Sequence, residues 1–249
     1  KIGAYTSGQY FNGKIDQVNV FDYELSQDQV TQLGAEGYAF KFNSSRIAVG
    51  LENTLNLGGA SKYSTSIWFK KTGANAGTAM WGYNYGDANG SGFYYWFTGG
   101  DLRVAVGKDG LSSGFAYYTI SSGLVPIGKW HHVVMVFDGT ETGNDILKVY
   151  QNGVVATGTY TNTSAFPTTL PSYSSSRQVY LGQLQLGNGS FGFNFEGELS
   201  NVQQWSDTAL TLDNAKTLYN KGLQELTGAY RGFGKPLKTL KNPQKPLRG

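Results

Sequence analysis

The sequence predicts an all-β fold: two antiparallel sheets packed as a sandwich of the jelly-roll kind, with one short helix after the last strand. Three observations predict it. Apolar and polar residues alternate with a period of two through most of the chain, the pattern of half-buried strands. The chain holds 35 glycines, enough to join many short strands by tight turns, and almost no stretch with helical periodicity. A strand-and-helix segment occurs twice, with a domain-length stretch between the copies, so a whole module ends where the second copy ends.

The first copy is Phe11-Asn12-Gly13-Lys14-Ile15-Asp16-Gln17-Val18-Asn19-Val20-Phe21-Asp22. The second is Phe195-Glu196-Gly197-Glu198-Leu199-Ser200-Asn201-Val202-Gln203-Gln204-Trp205-Ser206-Asp207. Both set Phe, Gly, an aliphatic residue, Val and a large aromatic at the same spacing. The match continues through Leu25-Ser26 and Leu210-Thr211, Asp28 and Asp213, and Leu33 and Leu218. Between the copies, strands are read at Thr65 to Lys70, Leu102 to Val106, Ala116 to Ile120, His131 to Phe137 and Gln178 to Gly182. Leu147 to Gln151 and Val154 to Ala156 flank Asn152-Gly153, a dipeptide that tolerates positive φ and signals a hairpin. Ile67, Phe69, Val134, Val136 and Val149 are the expected filling between the sheets. Ser26 to Gln29 has capping-box spacing and opens a helix that Gly34 can end. The second helix is expected from Thr211 to about Tyr219, stopping near Gly222. The expected organisation is a remnant of a preceding module over 1–36, a complete sandwich over 37–230 and a basic, proline-containing linker over 231–249.

Composition narrows the function. Net charge is +3, and Lys235, Lys238, Lys241, Lys245 and Arg248 concentrate it in the tail, so the body lacks a nucleic-acid footprint. There is no cysteine, which removes disulfides and thiolate zinc sites, and only two histidines. No run of about eighteen apolar residues offers a membrane span. With Lys1 first and no signal peptide, the chain is read as part of a longer protein.

Ile127-Gly128-Lys129-Trp130-His131-His132-Val133-Val134, then Phe137-Asp138-Gly139, then Leu147 to Gly153, resembles the laminin-G-like branch of the concanavalin A-like lectin/glucanase sandwiches. In that family a G-x-W-H-H-V strand precedes a Y-x-N-G hairpin, and the domain ends F-x-G-x-I-D-x-V. Phe11 to Leu33 matches that ending closely and Phe195 to Tyr219 more loosely, with Leu199-Ser200 in place of Ile-Asp. Tyr38 to Asn43 and Ser66 to Lys70 resemble the opening strands. The likeness implies the fold; the sandwich itself hosts many activities. Cysteine-free tandem modules of this style resemble bacterial surface proteins and the fibre, appendage or capsid-associated proteins of tailed phages. That implies an extracellular or virion-surface location and a larger oligomeric assembly.

Three chemistries suggest themselves. Glu196 and Glu198 share one strand face, but the related glucanases use E-x-D-x-x-E, and here no further acid follows, so no enzyme is expected. His131 and His132 lack a G-x-S-x-G partner and read as members of a buried strand. Some members of the resembling family bind calcium at the sandwich rim. Asp87 and Asn89 in one loop, and Asp138 and Asp145 in another, are the candidate oxygen ligands. The third chemistry is sugar binding, which needs a flat ring beside polar partners. Met80 to Asp87 and Phe93 to Phe97 concentrate aromatics, and alternation puts Phe93, Tyr95 and Phe97 on one face and Tyr94 and Trp96 on the other. Trp81, Tyr83, Tyr85, Asp87, Tyr94 and Trp96 are the candidate ligand-binding residues. The expectation is a noncatalytic module for a glycan or a neighbouring surface protein. The alternatives are a purely architectural virion module and a glycoside hydrolase.

Overall fold

The structure is a computed structural model, and it describes residues 39–51, 55, 57–74, 77–82, 92–107, 115–162, 166–170, 178–185 and 190–227. The sandwich lies in the compact unit 39–224. The first copy of the repeat and the basic tail lie outside the described residues, as do Tyr83, Tyr85, Asp87 and Asn89.

One sheet has six strands: β1 (Ala39–Asn43), β15 (Glu196–Ser206), β3 (Lys62–Lys71), β8 (His131–Asp138), β9 (Leu147–Gln151) and β10 (Val154–Val155), side by side in that order. The other has seven: β11 (Thr159–Asn162), β7 (Phe115–Ile120), β6 (Asp101–Gly107), β5 (Phe93–Thr98), β4 (Thr78–Gly82), β12 (Gln178–Leu181) and β2 (Ile47–Leu51). Neighbours in both sheets pair antiparallel. A short ladder joins β13 (Leu184–Gln185) to β14 (Phe191–Gly192). The expected sandwich is what forms.

Tyr63, Ile67 and Phe69 from β3, Val133, Met135 and Phe137 from β8, and Phe93, Tyr95 and Phe97 from β5 make the core between the sheets. Val149 joins them, as expected, but Val134 and Val136 do not. Every residue of β8 is buried, and these two valines face outward with Tyr150 under Ala215, Leu212 and Leu218 of α1 (Leu212–Thr227). A strand covered on both faces is apolar on both, so alternation cannot show which set looks inward.

The helix starts at a reciprocal cap: Thr211 N–H donates to Asn214 Oδ1 (2.9 Å) and Asn214 N–H donates to Thr211 Oγ1 (3.3 Å). It then runs through Gly222 rather than stopping there. A Cβ at 222 would lie 2.1 Å from Trp68 Nε1, so this glycine lets the helix backbone approach the indole and is not a terminator. The Tyr219 ring stacks on the same indole at 5.4 Å. At the hairpin, Asn152 (φ 51°) and Gly153 (φ 78°) both adopt the left-handed conformation the dipeptide predicts.

The second copy of the repeat is β15. Its repeated Phe195 and Leu199 are fully buried in the core, and Gly197 sits where a Cβ would meet Lys70 O at 2.4 Å. Phe195, Gly197 and Leu199 of the duplicated set are therefore inward, while Trp205 stands opposite outward Ser64. Asn201, at a bulge in β15, takes φ 46°.

Candidate functional site

The outer face of the six-stranded sheet is covered by α1 over Val134, Val136 and Tyr150, and it also carries ion pairs. Lys70 pairs with Glu198 (2.8 Å) and Lys62 with Asp138 (2.8 Å). The strands of the seven-stranded sheet differ sharply: Asp101 is their only acid and Arg103 their only base. Asp101 Oδ1 accepts the Ser122 N–H at the strand end, and Arg103 is the one cation within these strands.

Register lays out the face in two cross-strand rows. Gly82, Tyr94, Ala105, Tyr117 and Thr161 stand opposite one another in one row. Ala79, Trp96, Arg103, Thr119 and Thr159 form the other. Tyr94 and Tyr117 are two strands apart, roughly 10 Å, with only a methyl group between them. Trp96, Arg103 and Tyr117 are half-buried, while Tyr94 is 5% exposed. The Arg103 guanidinium carbon lies 4.6 Å above the Tyr117 ring, a cation–π contact. Phe193 packs on Trp96 with ring centres 4.2 Å apart. Its φ of 63° is unusual for a bulky residue, and its carbonyl accepts the Ala79 N–H at 2.8 Å. Further along, Tyr180 meets Phe191 edge-on at 5.0 Å, with the Arg46 guanidinium 3.7 Å above Phe191.

Of the expected ligand-binding residues, Tyr94 and Trp96 share this face. Trp81 does not: it is 1% exposed, lies between the sheets and stacks on Tyr95 at 5.8 Å. A register shift between Ala79 and Trp81 is the cause, because it turns both Met80 and Trp81 inward. Arg103, Tyr117 and Phe193 were not singled out from the sequence. The outward positions of Leu102 to Val106 and Ala116 to Ile120 carried the signal for Arg103 and Tyr117. Nothing local marks Phe193, whose placement depends on the tertiary bridge to Ala79.

The candidate calcium ligands Asp138 and Asp145 face different cations. Asp138 gives one oxygen to Lys62 Nζ and the other to the N–H and hydroxyl of Thr140 (3.1 and 2.6 Å). Asp145 lies 4.0 Å from Lys148 Nζ on an exposed turn. Among the described residues no three His, Asp or Glu side chains converge as a metal cage.

The histidine pair belongs to the covered strand. His132 Nε2 and Ser66 Oγ are 2.8 Å apart, and burial pushes the imidazole down to about 4. Burial also lowers His131, an effect opposed by its contact with the Pro126 carbonyl and reinforced by Lys71. Ser66 and His132 are each 1% exposed, and the Trp68 and Tyr219 rings lie against the imidazole. A substrate carbonyl has no approach to that hydroxyl.

Two antiparallel sheets, closed by the duplicated strand and backed by a helix on one side, define the chain as a sandwich of the lectin and glucanase type. The chain belongs to the concanavalin A-like lectin/glucanases superfamily, whose laminin-G-type family model matches residues 43–216. Among solved structures it resembles the CBM40 module of the Ruminococcus gnavus IT-sialidase bound to α2,3-sialyllactose, at 16% identity and TM-score 0.54. That match covers 74% of this chain and 96% of the module. It also resembles part of the NanB sialidase from Streptococcus pneumoniae, at 15% identity and TM-score 0.54, covering 73% of this chain but 27% of the enzyme. The binding domain of botulinum neurotoxin serotype D matches at 14% identity and TM-score 0.50, over 74% of this chain and 42% of the other. At such identities the likeness speaks for the fold. No curated protein sequence matches the chain.

Proposed function

We propose that this chain is a noncatalytic module that binds glycan on the outer face of its seven-stranded sheet. The observation that carries the reading is the pair of rows holding Tyr94, Trp96, Tyr117 and Arg103, on strands with almost no charge. Aromatic rings offer the C–H face of a sugar a partner, and the neighbouring threonines and Arg103 supply polar contacts. A sialyllactose-bound module and a toxin's binding domain on the same fold support it. The module belongs in a multi-module extracellular or virion-surface protein. The noncatalytic part rests on the carboxylates: Glu198 is held by Lys70, which leaves no free acid pair on β15.

The test is a glycan panel titrated against the whole chain, with and without calcium, and against Trp96→Ala. Binding that falls about tenfold or more in the variant is expected. Absence of binding to every glycan by folded protein overturns the reading. Hydrolysis of any bound glycan, lost on Glu198→Gln, overturns the noncatalytic part.

One observation favours a protein partner as the second reading. Phe40 on edge strand β1 is 58% exposed, and Val154 and Val155 on edge strand β10 are 60% and 64% exposed. Exposed apolar edges suit burial against neighbouring copies in an assembly.

A further inference from the structure

We propose that the glycan carries a carboxylate, and that Arg103 is the group that receives it. This rests on the sugar-binding reading above and narrows it from sugars in general to acidic ones, whether sialic or uronic.

Arg103 is the only base in the seven strands and sits on β6, an interior strand, flanked by Trp96 and Thr119 in its own row. Its charge has no carboxylate partner among the described residues. Its Nε–H is buried and has no acceptor, although hydrogen-bonding groups closed off from water are almost always satisfied. What Arg103 does have is a ring: the Tyr117 face beneath the guanidinium holds the cation without engaging its in-plane N–H groups. The Nε–H is closed to an incoming ligand as it is to water, so the terminal nitrogens of this half-buried side chain are the donors an acceptor can meet, and a carboxylate is the acceptor that matches their planar pair of N–H groups. Asp101, the one acid on these strands, accepts the Ser122 N–H at the strand end and forms no ion pair with Arg103. Trp96 stands directly opposite Arg103, with Cβ atoms about 5 Å apart in such a pair. A pyranose lying on the indole would therefore place a carboxyl substituent within reach of the guanidinium. A neutral sugar would fill the ring contacts and leave the guanidinium charge without a partner.

The experiment titrates the whole chain with 3′-sialyllactose, 6′-sialyllactose and a uronate oligosaccharide, each against its neutral counterpart, lactose or the carboxyl-reduced oligosaccharide. Wild type should prefer at least one acidic probe by on the order of ten- to a hundredfold, and added salt should erode the preference. The arm that binds identifies sialic or uronic acid as the source of the carboxylate. Arg103→Gln should remove the preference while keeping the weak neutral binding. Arg103→Lys, which keeps the charge and guards against a folding failure of the first variant, should retain part of it. If neutral and acidic probes bind equally while Trp96→Ala abolishes both, the acidic specificity is wrong and the sugar-binding face stands. The same conclusion follows if folded Arg103→Gln keeps the wild-type preference. If folded wild type binds no probe in any arm, both readings fall.

Discussion

Acidification from pH 7 to pH 4 should cost this domain about 3 kcal/mol through one side chain, His132. Its imidazole titrates near 4 in the folded protein, against 6.5 for an ordinary histidine, because burial disfavours the charged ring. Between those values the unfolded chain binds more protons than the folded one, so stability is fully present above about 6.5 and is lost as pH falls towards 4. A gap of roughly two and a half pH units, at 1.36 kcal/mol per unit, sets the size. That is a large share of the ~5–15 kcal/mol that holds a typical domain together. The ring cannot relieve the cost by turning to water: Trp68 and Tyr219 lie against it, and Nδ1 is buried without a partner. Asp138 does not confuse the measurement. Burial raises its carboxyl, but the hydrogen bonds from Lys62 and Thr140 outweigh that and leave it below 3.8, so its contribution fades only at lower pH. Urea unfolding of wild type and His132→Gln across pH 7.5 to 4.3 is the assay, since glutamine retains an acceptor for Ser66 but does not titrate in this range. The stability difference between the two should shift by about 3 kcal/mol against wild type as the pH drops. Two parallel curves would show that the folded imidazole titrates normally, and the covered-strand account of β8 would fail with it.

Gly222→Ala should destabilise by ~1–3 kcal/mol, the cost of overpacking against Trp68, even though alanine favours a helix by about 1 kcal/mol; a melting temperature that rises instead would mean the helix stands off the indole. Gly153→Ala puts a side chain at φ 78° and 3.1 Å from the Tyr219 ring, so a loss of about 1–2 kcal/mol in chemical denaturation is expected. Trp81→Ala should cost ~3–5 kcal/mol as a core truncation, whereas half-buried Trp96→Ala should cost under ~2 kcal/mol and act on glycan affinity instead. Equal stability losses at the two tryptophans would contradict the inward turn of β4.

The duplicated ending and the Asn-Gly hairpin were legible because each depends on local chemistry. Phe195, Gly197 and Leu199 recur because they face the core, and Asn152-Gly153 because both residues must adopt positive φ. What was not legible depends on neighbours distant in sequence. Met80 and Trp81 both point inward because β4 slips against β5, and a single strand carries no sign of its partner's register. Val134 and Val136 look like core residues and are buried, but beneath a helix some eighty residues later in the chain. Gly222 reads as a stop until Trp68 is placed against it. The site divides along the same line. Tyr94 and Trp96 were visible by alternation within one strand, whereas Arg103 gains its meaning from the absence of charge on six other strands and from Tyr117 beside it.

The two outer faces of the sandwich solve different problems. On the six-stranded sheet, Val134, Val136 and Tyr150 are apolar and must be covered, and α1 covers them; other outward positions carry the ion pairs Lys70–Glu198 and Lys62–Asp138. On the seven-stranded sheet the outward residues are rings, methyl-bearing residues and threonines, and part of their cover comes from within, as Phe193 on Trp96 and Tyr94 packed in the same cluster show. Yet the row through Trp96 and Arg103 remains half-exposed, with a cation whose buried Nε–H has found no acceptor. If that face existed only to close the fold, an uncharged residue at 103 would pack the Tyr117 ring without burying an unsatisfied donor. A half-buried cation with no carboxylate partner among the described residues gains one when an anionic group arrives from outside, which is why the ligand reading attaches to this face.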